Sequence, residues 1–224
     1  MGEVAEAYAG CRERISALTA HLDDDAAARA VPACPAWSVH DVVAHVAGVV
    51  DDALAGRLDG VATDPWTAAQ VERRRGVPVA AILETWSEQA PAFENLLDSI
   101  GPPGHQAVAD IVTHEHDIRL ALGQPGARDS DAVRIGLGFV VQGFAGAAAR
   151  NGTPVLVVCD GEHLSGDDDA PVALHGSAFD LLRAMTGRRS LEQLRAMTWQ
   201  GEVDPVLPAF TFGPFRPATV ALDE

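Results

Sequence analysis

The chain has 224 residues, enough to bury a substantial core in one large domain or two small ones. Its formal net charge is -16, with 32 acidic residues against 16 basic ones, so it repels phosphate backbones and anionic membrane surfaces, and nucleic acid is excluded as an expected partner. Every basic residue is arginine; without a lysine amine, Schiff-base chemistry, a lysine-anchored cofactor and a phosphate-loop lysine are excluded as well.

From Val4 the apolar positions Val4, Tyr8, Cys11, Ile15, Leu18 and Leu22 alternate in steps of four and three, as one face of a helix requires. A second helix is predicted to start at Trp37-Ser38-Val39-His40-Asp41-Val42, with Ser38 as N-cap, Asp41 three residues on, and Trp37 and Val42 spaced as a hydrophobic staple. It runs through His45 and Val49 toward Gly56 or Gly60. Residues 59–77 carry Pro65 and the run Arg73-Arg74-Arg75; they are predicted as a loop with some helix inside, and the arginine run as a solvated face. Ile82, Trp86, Phe93, Leu97 and Ile100 outline a third helix that Pro91 should kink or split, ended by Gly101-Pro102-Pro103-Gly104. A fourth spans about Gln106 to Leu122 and stops at Gly123, and a fifth runs from Asp131 to Arg150.

Beyond Asn151-Gly152 the pattern changes. Thr153 to Cys159 and Pro171 to His175 predict two strands, joined by a polar, acidic loop over 161–170. Ser177-Ala178-Phe179-Asp180 and Ser190-Leu191-Glu192-Gln193 resemble capping boxes that open short helices. The prediction is therefore a mainly α protein: a helical bundle over 1–150, with the fifth helix as an addition to its four, followed by a small α+β C-terminal domain over 151–224.

Cys11, Cys34 and Cys159 are odd in number and widely spaced, which argues against a disulfide framework or a thiolate zinc site and for a reducing compartment. The acidic start Met-Gly-Glu-Val-Ala-Glu lacks the pattern of a signal peptide. The most apolar stretch, Ile135 to Ala149, is broken by glycines and too short to span a bilayer. A soluble, cytoplasmic protein without a membrane partner is the expectation.

Chemistry concentrates on the second and fourth helices. Residues four apart on a helix lie only about 40° apart around the axis, so Asp110 and His114 share a face and Asp117 follows on the same side. His45 lies on the apolar side of the second helix among Val42, Val46 and Val49. His45, Asp110 and His114 are thus a candidate ligand set for a divalent metal, three protein ligands with a position left for water or substrate. An i, i+4 contact that merely stabilises the helix is the plainer alternative. His116 points almost oppositely and is not counted as a ligand. Asp41 is either a capping residue or an orienter of His45, and Asp117 either orients His114 or pairs with a neighbouring arginine. Arg188, just past Gly187, is a candidate for binding a carboxylate through its bidentate fork, the alternative being a helix-end cation. The cysteines read as small buried hydrophobes.

The segment Cys34-Pro35-Ala36-Trp37-Ser38-Val39-His40-Asp41-Val42-Val43-Ala44-His45-Val46-Ala47-Gly48 resembles the Trp-x3-Asp-x3-His signature of the mycothiol-dependent maleylpyruvate isomerase family. Asp110 to Gly123 resembles its second signature, an acid, three residues, His, two residues, Asp, then Ala-x-Gly. Phe179 to Arg188 is similar to the Leu-Leu…Thr-Gly-Arg stretch of the small C-terminal domain in these proteins. The resemblance implies a DinB-like up-and-down four-helix bundle, a divalent metal with zinc as the expected ion, and mycothiol as co-substrate. Its partners would be this low-molecular-weight thiol and a small-molecule electrophile, with isomerisation or S-transfer as the outcome. The chain departs from the family pattern at Asp110, where glutamate is usual. A non-catalytic metal- or ligand-binding regulatory module on the same fold is the alternative function. The same donors also occur in non-haem iron oxygenases, although those place His-x-Asp on a strand. A purely structural metal is disfavoured because such sites normally have four ligands, rich in cysteine.

Overall fold

In the computed structural model, which describes residues Gly2–Glu224, the chain divides into two compact units, one ending at Gly126 and one running from Ala127 to Glu224. It is mainly helical with a small sheet region.

The first unit contains α1 (Glu3–Thr19), the single turn α2 (Asp24–Ala27), a short antiparallel pair β1 (Ala30–Val31) and β2 (Cys34–Ser38), α3 (Val39–Leu54), α4 (Asp64–Arg73), α5 (Val79–Leu97) and α6 (Pro102–Leu122). α1 packs on α5 and α6, and α3 packs on α4, α5 and α6. The apolar stripes read from the sequence form the interior: Tyr8, Cys11 and Ile15 of α1 are buried with Val42, Val43, Val46 and Val50 of α3, Ile82, Trp86, Phe93 and Leu97 of α5, and Val108, Ile111, Val112 and Ile118 of α6. Tyr8 and Phe93 meet edge-on with ring centroids 5.1 Å apart.

Local signals account for the boundaries of the helices that carry the candidate site. Ser38 and Asp41 form a complete capping box at the start of α3. α6 begins earlier than its periodicity suggests, because Pro102 and Pro103 occupy the first turn, where a missing N–H costs nothing. It ends at Gly123 in the left-handed conformation, φ 65°.

Several expectations need correction. Residues 59–77 are not chiefly loop: α4 occupies ten of them, with Pro65 in its first turn, where proline favours a helix. The arginine run is not simply a solvated face, because Arg73 pairs with Asp52 and Arg74 with Asp51, tying α4 to α3, while Arg75 pairs with Glu72 on its own helix. Pro91 does not split α5; it sits on the exposed side while Trp86, Ala90, Phe93 and Leu97 hold the opposite side in the core.

The second unit opens with α7 (Asp131–Arg150), followed by β3 (Val155–Cys159), β4 (Glu162–Ser165), β5 (Val172–Gly176), α8 (Ala178–Met185), α9 (Leu191–Arg195), β6 (Thr198–Gln200) and a 3-10 turn at Leu207–Phe210. Its sheet order is β4-β3-β5-β6, with β3 and β5 parallel and the other pairs antiparallel. Two of these four strands, β4 and β6, are additional to those expected; β4 lies inside the polar stretch that reads as a loop and is exposed or half-buried throughout, so no apolar run announces it.

The boundary expected near residue 150 falls instead between Gly126 and Ala127, and α7 belongs to the second unit rather than to the first. α7 packs on α8 and on the 3-10 turn, where Phe144 and Phe210 have ring centroids 4.6 Å apart. By length and composition alone this 20-residue helix could cross a membrane, but half of it is buried.

Candidate metal centre

α3 and α6 bring His45, Asp110 and His114 together. His45 Nε2 lies 3.5 Å from Asp110 Oδ2, and His114 Nε2 lies 3.7 Å from Asp110 Oδ1. The two imidazoles meet edge-on with centroids 5.0 Å apart, and one donor atom from each of the three residues falls within 4.8 Å of the others. Donors on a tetrahedral zinc, bonded at about 2.0–2.1 Å, are spaced by about 3.3 Å; the two imidazole–carboxylate distances, each to a different oxygen of Asp110, are a few tenths of an ångström longer. Asp110 reaches both rings despite its shorter arm.

Each imidazole is held from behind. His114 Nδ1 bonds Asp117 Oδ2 at 3.0 Å, and Asp117 is fully buried. His45 Nδ1 bonds Gln70 Oε1 at 2.7 Å, and Gln70 Nε2 donates to Asp52 Oδ2 at 2.8 Å. Burial pushes the His114 pKa below the ordinary histidine value, against the opposing pull of Asp117 and Asp110, so the ring favours its neutral, lone-pair-bearing form. Asp110 alone of the three is substantially accessible, its side chain 35 % exposed against 2 % for His45, which gives the cluster one solvent-facing side.

Trp37 lines the cluster, its ring centroid 5.2 Å from that of His45 and 5.9 Å from that of His114. Cys34, expected as a small buried hydrophobe, is instead half-buried on β2 with Sγ 3.6 Å from Asp117 Oδ2. Cys34, His114 and Asp117 form a second group of donors spaced within 4.8 Å.

Asp41 is engaged in capping: its carboxylate accepts from the backbone N–H and hydroxyl of Ser38. The residue that contacts the back of His45 is Gln70, which no sequence pattern singles out. Proline and an acid at the start of α4 were the available signal for a helix there, but nothing in the spacing pairs residue 70 with residue 45. His116 is buried on α6 and belongs to neither donor group. Arg188 lies in the second unit beyond α8, where its guanidinium donates to the carbonyl of Thr186 at 2.5 Å.

The family model described as mycothiol maleylpyruvate isomerase N-terminal domain matches residues 8–121, just over half of the chain. The chain belongs to this family. The matched span contains α3 and all of α6 but its last residue, and with them His45, Asp110 and His114. No curated protein and no solved structure matches the chain.

Proposed function

We propose that the first unit is a DinB-like up-and-down bundle of α1, α3, α5 and α6 carrying a divalent metal on His45, Asp110 and His114, and that the protein is a cytoplasmic, mycothiol-dependent enzyme. The observation that carries this reading is the convergence of two imidazole nitrogens and one carboxylate, from two helices, at distances a single ion would bridge. Membership of a mycothiol-related family supports the choice of thiol.

Zinc, when bound, would supply the positive charge that keeps a thiol sulfur deprotonated and nucleophilic near neutral pH. His45 and His114 contribute neutral donors, and Asp110 contributes one negative charge, so the centre keeps a net positive charge to attract a thiolate. The exposed side at Asp110 is where thiol and electrophile enter, and the Trp37 indole lies against both rings. Asp117 keeps the His114 ring oriented. Arg188 is proposed to bind a carboxylate of the electrophile or of the thiol cofactor.

On a cis-enedione, addition of the sulfur to the carbon–carbon double bond, rotation about the resulting single bond and elimination return the thiol and give the trans isomer. On a substrate with a leaving group or an epoxide, the sulfur stays attached and the outcome is S-transfer.

Elemental analysis of protein purified without chelators or a histidine tag, wild type beside His114→Ala, tests the reading. Near-stoichiometric zinc in the wild type, lost in the variant, together with mycothiol-dependent turnover, is the expected result. A wild type that stays metal-free after reconstitution overturns it in favour of a non-catalytic binding module, the reading that aspartate in place of the family's usual glutamate favours.

A further inference from the structure

Behind His45 lies a buried polar chain that has only one consistent polarity. Asp52 sits on α3 with 1 % of its surface exposed and accepts from Arg57 Nε at 2.7 Å and Arg73 Nη2 at 2.6 Å. A carboxylate between two guanidinium groups is ionised and can only accept hydrogen bonds. The Gln70 group 2.8 Å from Asp52 must therefore be the amide NH2, which turns Oε1 toward His45. An amide oxygen is likewise only an acceptor, so His45 Nδ1 must carry a proton, and in the neutral ring Nε2, the nitrogen facing Asp110, is left with the lone pair.

The seat of Gln70 is itself specified. The side chain is completely buried, and a Cβ at Gly48 would lie 2.6 Å from Gln70 Cβ and 2.8 Å from its Cγ. Gly48 thus opens the space on α3 that Gln70 of α4 fills, while the Arg73–Asp52 and Arg74–Asp51 pairs clamp α4 in place.

We infer that Gln70 is a positioning residue that fixes the tautomer of His45, with Asp52 fixing the polarity of Gln70 and Gly48 providing its seat. The benefit to metal binding rests on the metal reading given above, because a fixed Nε2 lone pair spares the ion the cost of reorganising the ring. The tautomer lock itself does not depend on that reading.

The test is nitrogen-15 NMR of the His45 ring in the metal-free protein, with zinc dissociation constants measured in parallel. In the wild type Nδ1 should show the protonated and Nε2 the unprotonated shift. Gln70→Leu, close in volume but lacking the acceptor, should convert His45 toward the Nε2-protonated form or a mixture. Gly48→Ala, which displaces Gln70 without altering it, should do the same. Gln70→Glu, protonated on the oxygen that faces the ionised Asp52 so that its carbonyl oxygen still faces Nδ1, should restore the wild-type pattern. Zinc affinity should fall about 10- to 100-fold in Gln70→Leu and recover at least in part in Gln70→Glu. Wild-type ring shifts in folded Gln70→Leu and Gly48→Ala would overturn the inference. If the shifts change as expected while even the wild type binds no zinc, the lock stands and the metal reading fails.

Discussion

A buried charge is tolerable only where partners replace the water it has lost, and this chain buries several. Glu224 is the clearest case outside the candidate centre: its carboxylate accepts from Arg183, which is fully buried, and from Arg189. Burial alone would raise its pKa, but the bonds from Arg183 and Arg189 outweigh that and hold it below the ordinary glutamate value of 4.5. A carboxylate depressed in the folded state stabilises the fold fully above its unfolded pKa, and the contribution disappears as the pH falls through the lower folded value. Glu224→Gln should therefore cost on the order of 3 kcal/mol in denaturant unfolding at pH 7, since it removes the buried negative charge that Arg183 and Arg189 share. The difference from wild type should shrink steadily as the pH is lowered below about 4.5. A difference independent of pH would assign the loss to packing instead.

Among the elements, close approach of helices is set by a few glycines. A Cβ at Gly104, in the first turn of α6, would lie 2.3 Å from the carbonyl oxygen of Leu97 at the end of α5, and a backbone atom cannot step aside as a flexible side chain can. Gly138 lies on the exposed side of α7, where an added Cβ would meet nothing within 4 Å. In a helix, alanine is intrinsically better than glycine by about 0.5–1 kcal/mol. Gly138→Ala should therefore raise stability by about that amount, whereas Gly104→Ala should lower it by about 1–3 kcal/mol because the α5–α6 junction must open. Thermal unfolding of the two variants should move in opposite directions. The β1–β2 pair contributes differently, by delivering Cys34 and Trp37 to the candidate centre just before the Ser38 cap turns the chain into α3.

For the molecule as a whole, a formal charge of -16 makes the folded state repel itself more than the expanded chain does. Screening shortens the range of that repulsion from about 30 Å at about 0.01 M salt to about 8 Å at about 0.15 M. The unfolding temperature should accordingly rise over that interval of sodium chloride, measured in the metal-free protein so that ion binding does not contribute. A flat or falling midpoint would mean that the local pairs, such as Arg14–Glu115 and Arg12–Glu94, dominate over net charge.

Periodicity and capping chemistry determine local structure, and the sequence alone therefore yields the long helices, the Ser38–Asp41 box, the Gly123 stop and the strands whose residues are β-branched and apolar. The i, i+4 spacing likewise places Asp110 and His114 on one face, because helix geometry is fixed by the backbone. Contacts between elements carry no such signature. That Gln70 meets His45, that Asp52 polarises Gln70, that Cys34 reaches Asp117 and that α7 packs with the second unit depend on how helices and strands dock, which is decided by side-chain shape summed over the whole core. Amphipathic α7 illustrates the limit: its sequence states that one face must be covered, and only the tertiary structure states by what.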